Sequence, residues 1–530
     1  MKIKSFVWLF LAGTLITASC KKTLDKQSFT QVPDVTAYSS PTKVVQSLNG
    51  VYDAAQSGFY SGNVIRGYPF GAASVEQGDM RGEDMMNQAT FYQVTYESTI
   101  ANNTGNNDFM FQTLYSLINK ANLTLIGITG AGNANIITPA KSLQYQAECR
   151  LLRAMAHHEL VLHFSRPYAD GNGSKTGIIY RDFAITGANT DSAAAIKRST
   201  IKVSDTYAKI LADLDFAETN LPAAPDAATY RASKAVAIAL KMRVKMHMGD
   251  WAGVITEGAK IVSGSYPNFS SPVNGYKLTA AADGAFTLNT STESMFSMKN
   301  DATDNPGVNG GLAQMYGDPA LGGRGLVRVS PIIWSDPGWL CNDLRRTILY
   351  RTAGSPVNAV YTTKYKDYTN LSDGAPLIRY SEVLLMLAEA QARQSAGISS
   401  IAVDLLNAVH VRAFAAADQG ANTYATAGFA TPVDLVKAIL KERRIEFLAE
   451  GKRWGDISRL SLDANYAPIA GGGIPAKVGS GAATASMFNC AGATVAKTVA
   501  AIPYTDIRFI WPISLSETQL NPNYDQNPGY

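Results

Sequence analysis

The chain has 530 residues, 46% of them hydrophobic and 17% charged, and a formal net charge of +4. So weak a balance leaves no electrostatic footprint for nucleic acid or for a polyanionic substrate, and the composition is that of an ordinary globular protein long enough for several domains. The 25 tyrosines and 6 tryptophans are ample for stacking on sugars, although most aromatics of any chain build its core.

Lys2 and Lys4 form a short basic start, and residues 6–16 are apolar and uncharged. That stretch is too short to span a bilayer, which takes about 20 residues, and has the proportions of a signal-peptide core. Thr17-Ala18-Ser19-Cys20 follows. It resembles the lipobox of bacterial lipoproteins, with Thr17 where Leu is usual, and the resemblance implies cleavage before Cys20 and lipidation of that cysteine. Residues 1–19 therefore read as a lipoprotein signal peptide and 20–40 as a lipidated N-terminus and polar tether. Cleavage removes Lys2 and Lys4 and lowers the formal charge from +4 to +2. No later apolar run reaches the roughly 18 residues of a membrane helix, so the expected membrane attachment is the lipid anchor. With Cys20 acylated, Cys149, Cys341 and Cys490 remain. An odd number without C-x-x-C spacing supports neither a disulfide framework nor a zinc site, and Cys149, in a helical stretch, reads as a small core residue.

Helical periodicity runs through 106–126, 141–165, 201–221, 232–248, 251–263, 376–395, 398–415 and 432–450. In 376–395, Tyr380, Leu384, Leu387 and Ala388 fall on one face. Glu389 precedes Arg393 by four residues, the favoured order for a surface pair, and Gly451 stands where a helix C′ residue belongs. The helices pair across short turns at Gly249-Asp250 and near Gly397, like helical repeats of about 34 residues. Between them lie Gly-, Asn- and Ser-rich stretches at 61–105, 169–198, 264–340 and 462–500, lengths that are usually functional or disordered. The expected fold is mainly α: a TPR-like helical-hairpin scaffold carrying long irregular ligand-binding loops. Residues 41–530 form its body, with an N-terminal part over about 41–225 and a C-terminal part over about 226–530.

Charges crowd one segment: Glu442, Arg443, Arg444, Glu446, Glu450, Lys452, Arg453 and Asp456. Adjacent arginines favour ionised carboxylates, where an acid catalyst needs a raised pKa, so structural ion pairing is the expectation here. The same holds for Glu148, Arg150, Arg153, Arg379, Glu382 and Glu389, with Trp454 a packing residue. His158 and His163 are five apart and share no helix face well, which argues against a metal site with His157. No G-x-S-x-G elbow, P-loop or H-E-x-x-H occurs. No catalytic residue, cofactor or metal ligand is nominated.

Several short motifs occur in a familiar order. Phe111, Tyr115, Ile118, Ala121 and Asn122 precede Ala147-Glu148-Cys149-Arg150-Leu151-Leu152-Arg153-Ala154 and Phe164-Ser165-Arg166-Pro167. Leu377-Ile378-Arg379-Tyr380-Ser381-Glu382-Val383-Leu384-Leu385 leads to Glu442-Arg443-Arg444-Ile445-Glu446-Phe447 and Glu450-Gly451-Lys452-Arg453-Trp454, and the chain closes on Gln526-Asn527-Pro528-Gly529-Tyr530. From about residue 40 to 530 the sequence resembles the SusD/RagB family of outer-membrane nutrient-binding lipoproteins. The resemblance implies a non-catalytic protein on the surface of a Bacteroidota-type bacterium, lipid-anchored in the outer membrane. Such a protein captures an oligo- or polysaccharide and delivers it to a SusC-like TonB-dependent transporter; in RagB-like branches the cargo is peptide. A surface glycoside hydrolase is the rival, with Asp79, Glu83 and Asp84 the only crowded loop acids. The resemblance places the ligand in loops 66–96 and 300–340. Aromatic plates cover a sugar's C–H face there while polar groups bond its hydroxyls. Asp79, Arg81, Tyr92, Tyr316 and Trp334 are the expected ligand contacts.

Overall fold

The computed structural model describes residues 34–60, 64–287 and 289–530. The signal peptide, the lipidation of Cys20 and most of the tether lie outside the described residues. The longer helices are α1 (Pro41–Gln56), α2 (Ala73–Met80), α3 (Thr90–Tyr96), α4 (Gly105–Asn133), α5 (Pro139–Phe164), α6 (Val203–Asn220), α7 (Lys234–Met248), α8 (Trp251–Ile261), α9 (Tyr380–Gln394), α10 (Ser400–His410), α11 (Pro432–Glu446) and α12 (Arg453–Leu460). Neighbouring helices pack in pairs: α4 on α5, α5 on α6, α7 on α8, and α9 on α10. The fold is mainly α, as the periodicity indicates.

Three helices begin with the same device. At Ser40-Pro41, Thr138-Pro139 and Thr431-Pro432 the hydroxyl accepts the N–H of the third residue on, at 3.4, 3.2 and 3.3 Å. The proline sits at the first helical position, where its missing N–H costs nothing. Helix α1 lies outside the stretches whose periodicity predicts a helix, yet Val44, Leu48, Val51 and Ala55 form its buried stripe.

Two helix ends differ from expectation. Residues 376–379 are extended, because β4 (Ala375–Arg379) pairs with β2 (Ser294–Met298) before α9 starts. Helix α11 ends at Glu446, so Gly451 is not its C′ residue. Gly451 has φ +71°, and a Cβ there would lie 2.6 Å from the Val75 Cα; a Cβ on Gly78 would meet the Gly451 carbonyl oxygen at 2.1 Å. Only a pair of glycines lets α2 come this close to that turn.

Strand β1 (Met85–Asn87) pairs with β3 (Val327–Val329), Met85 opposite Val329, and this ladder joins loop regions 66–96 and 300–340. The expectation of no disulfide is corrected. Cys341 and Cys490 are bonded across 149 residues, while the third cysteine, Cys149, is free and buried in α5. The odd count conceals one pair plus one core thiol. Among the described residues no helix is long and apolar enough to cross a membrane.

Candidate ligand-binding face

The five expected ligand contacts all lie in the core, with at most 7% of any one exposed. Asp79 accepts the Tyr316 hydroxyl at 2.8 Å and the Gly451 N–H at 2.9 Å. Tyr92 donates to Glu76. Arg81 donates to the Phe509 carbonyl and to His163 Nδ1, and stacks 3.3 Å from the Trp454 ring. Trp334 packs edge-on against Trp339 at 5.3 Å. As placed, none of the five offers a surface to a ligand. The polar atoms of Asp79, Arg81, Tyr92 and Tyr316 are spent tying α2 and α3 to each other and to their neighbours.

The crowded acids are structural too. Glu83 and Asp84 receive Arg453 and Arg444, and the two guanidinium groups hold Glu83 down to about 2 against the penalty of burial. Glu442, also held at about 2, accepts from Arg345 and His410. Glu446 is kept ionised by Arg412, Arg379 and Arg345. The partners thus come mostly from distant segments and not from the adjacent Arg443 and Arg444. Burial raises Glu76 to about 8 and Asp79 to about 7, values suited to an acid catalyst, but both are sealed under Tyr92 and Tyr316. His157 has both ring nitrogens engaged, Nδ1 with the Arg153 carbonyl at 2.8 Å and Nε2 with the Arg181 N–H at 3.0 Å, leaving none for a metal.

An interior cavity of about 90 Å³ is lined by Met155, His158, Arg243, His247, Lys452 and Trp454. His158 Nε2 and Arg443 Nη1 have no partner there, and the space suits a few waters. Burial takes His158 down to about 4 and Lys452 to about 8. The chamber is part of the helix packing.

The solvent-facing candidate lies where the two loop regions meet. The Arg66 guanidinium carbon lies 4.1 Å from the Tyr60 ring and 4.6 Å from the Phe91 ring, which meet at a corner with centroids 6.0 Å apart and planes tilted by 59°, and Phe109 stands 4.6 Å from Tyr60. All four are only partly buried. Beside them Val64 and Ile65 are each 45% exposed and Val308 is 53% exposed. Gly310 packs on the Arg66 backbone so closely that a Cβ would lie 2.6 Å from its carbonyl carbon. The neighbouring Asn309 side chain and Val308 carbonyl accept from Arg324 at 2.8 and 3.0 Å. Gln88, just ahead of α3, donates to the Leu326 carbonyl at 2.8 Å. The result is a ledge of aromatic faces and guanidinium groups fed by residues 57–60, 64–66, 88–93, 305–310 and 321–328. Arg66, Phe91 and Arg324 belong to the expected loops but are not among the expected contacts. The missing signal is parity: helix α3 points Tyr92 inward and its neighbour Phe91 outward.

The SusD family profile matches residues 344–530. A second profile, described as starch-binding and associating with the outer membrane, matches residues 22–246. A curated relative, SusD-like protein P2 of Formosa agariphila, is 27% identical over 387 residues, covering 66% of this chain and 70% of its own. A SusD superfamily protein from Bacteroides fragilis superposes with a TM-score of 0.73 at 26% identity, over 92% of this chain and 99% of that one. Surface glycan-binding protein A from Bacteroides uniformis shares the fold, with a TM-score of 0.65 at 17% identity and coverage of 92% and 99%. The chain belongs to the SusD/RagB family.

Proposed function

We propose that this protein is a non-catalytic glycan-binding lipoprotein, tethered through Cys20 to the outer face of the outer membrane, that hands its ligand to a SusC-like TonB-dependent transporter. The observation that carries the reading is the ledge of Tyr60, Arg66 and Phe91, where a guanidinium lies against two partly exposed rings and gives solvent an amphipathic surface. Stacked aromatic and guanidinium planes suit the apolar face of a sugar ring, and their edges suit its polar substituents. The relatives support it: one family profile is described as starch-binding, and one neighbour of the same fold is named a surface glycan-binding protein. The disulfide is in keeping with export to an oxidising compartment. The carboxyls that favour a hydrolase reading are tied to arginines or sealed in the core, and a glycosidase needs two accessible carboxyls roughly 5–9 Å apart.

Affinity electrophoresis of the soluble chain from residue 21, against plant, fungal and host polysaccharides, tests the reading. Retardation by one polymer class without release of reducing ends is the expected result. Release of reducing ends, or passage unretarded through every polymer, contradicts it.

A further inference from the structure

We propose that the ledge selects saccharides bearing anionic substituents, carboxylate or sulfate, which it grips through Arg66, Arg324 and Arg328; the proposal rests on the glycan-binding reading above. Most arginines of this protein are consumed by its own architecture. Arg345, Arg379, Arg444 and Arg459, for example, are saturated by buried carboxylates, while Arg198 and Arg346 donate to backbone carbonyls. Arg66, Arg324 and Arg328, the last on β3 opposite Met86, make no ion pair among the described residues and, unlike Arg198 and Arg346, are only partly buried or exposed. Arg66 has a buried Nε without a partner. The carboxyl whose titration it touches, Glu76, is held protonated at neutral pH by its burial. Arg324 is exposed and uses only Nη1. Arg328 uses only Nε, donating to the Gly325 carbonyl at 3.2 Å, and lies 5.3 Å from the Tyr361 ring. Of the carboxylates in residues 300–340, Asp318 is taken by Arg351 at 2.6 Å and by the Ala320 N–H at 2.9 Å, Asp301 by Lys299 at 2.9 Å and Asp336 by Lys441.

The free hydrogen-bonding groups of these side chains are therefore donors only. Arginine has five N–H groups and no acceptor, whereas sugar hydroxyls both donate and accept. A neutral saccharide leaves its hydroxyl protons without acceptors among these three residues. Carboxylate and sulfate are acceptor-only groups whose paired oxygens match the guanidinium fork. Contact with Tyr60 and Phe91 restrains Arg66, so less freedom is lost when an oxyanion docks against it. The near-neutral total charge does not oppose this, since recognition follows the local field.

The test measures binding of the mature soluble chain to alginate and polygalacturonate (carboxylate only), ι-carrageenan (sulfate only), and neutral galactan and laminarin. Calorimetry and affinity electrophoresis are run at low salt and in 0.5 M NaCl. The expected result is that one charged class binds at least tenfold more tightly than the neutral polymers, and which class does so identifies the oxyanion. That binding weakens several-fold in high salt and at least tenfold in the surface double variant Arg324→Gln/Arg328→Gln, whose melting temperature stays that of the wild type. Neutral polymers bound as tightly as the charged ones, or a double variant with wild-type affinity, overturns the anionic selection and leaves glycan binding standing. Absence of binding to every polymer overturns both.

Discussion

Arg379 and Glu450 meet in a buried two-bond ion pair, Nε donating to Oε2 and Nη2 to Oε1, each at 2.8 Å. A third nitrogen of Arg379 reaches Glu446 at 3.0 Å and Ser381 at 2.8 Å, while Lys364 meets Glu450 at 2.6 Å. The start of α9 and the turn that follows α11 are thereby the two halves of one charge network, joined across 71 residues. Arg379→Met leaves Glu450 and Glu446 short of buried compensation. The expected loss is about 3–5 kcal/mol of unfolding free energy, read from a denaturant midpoint, and Arg379→Met/Glu450→Gln recovers part of it.

The Cys341–Cys490 bond fastens residues 485–492 to the segment that carries Trp339. Near it, Ser335 donates to the Met487 carbonyl and accepts the Asn489 N–H at 2.9 Å. Cys341→Ser/Cys490→Ser is expected to cost about 2–5 kcal/mol, the usual range for a native disulfide closing a long loop. Reductant should lower the wild-type melting temperature towards that of the variant and leave the variant unchanged. A wild type indifferent to reductant contradicts this.

Four buried histidines, His157, His158, His163 and His247, are held below their ordinary value by desolvation. The unfolded chain takes up their protons as pH falls through about 6.5 while the folded chain does not, so stability drains away between about pH 6.5 and 4. Glu76 and Asp79, raised to about 8 and about 7, oppose this, because there the folded state holds the protons. Four against two leaves a net proton uptake on unfolding near pH 5.5. Denaturant midpoints that fall steadily from pH 6.5 to 4.5 are predicted, and a flat profile is the contrary result.

Glu76 can be isolated from that background. Its raised value means that the folded state is favoured at low pH and loses that advantage as pH rises from about 4.5 towards 8. Glu76→Gln removes the titration while keeping an acceptor for the Tyr92 hydroxyl. Relative to wild type, the variant should gain on the order of 3 kcal/mol between pH 5 and pH 8. Equal midpoint differences at the two pH values would show that Glu76 does not titrate in this window.

The scaffold is legible because long helices announce themselves by periodicity: the eight stretches that read as helical all contain one. The structural role of the charged segments is legible as well, since dense opposite charges favour ionised pairs, but the partners are not. Glu442 and Glu446 are neutralised by Arg345, Arg379 and Arg412, side chains brought in by tertiary packing. The site is least legible. The ladder of β1 and β3 does bring the two expected loop regions together, but aromatic and charged residues in an irregular segment carry no period that says which way they face. Asp79 and Tyr316 read as polar loop residues and form a buried pair, whereas Tyr60 and Phe109 flank the ledge from outside the expected loops.

Binding by ledge variants tests the central claim most directly. Tyr60→Ala/Phe91→Ala removes the two rings against which Arg66 lies, while Tyr92→Phe and Tyr316→Phe delete only hydroxyls of the sealed core. Each is titrated by calorimetry with the polysaccharide that retards the wild type. Loss of at least tenfold in affinity for the ledge variant, with both core variants binding as wild type, is the predicted result. Wild-type affinity in the ledge variant would contradict the account and move the ligand to another face of the protein.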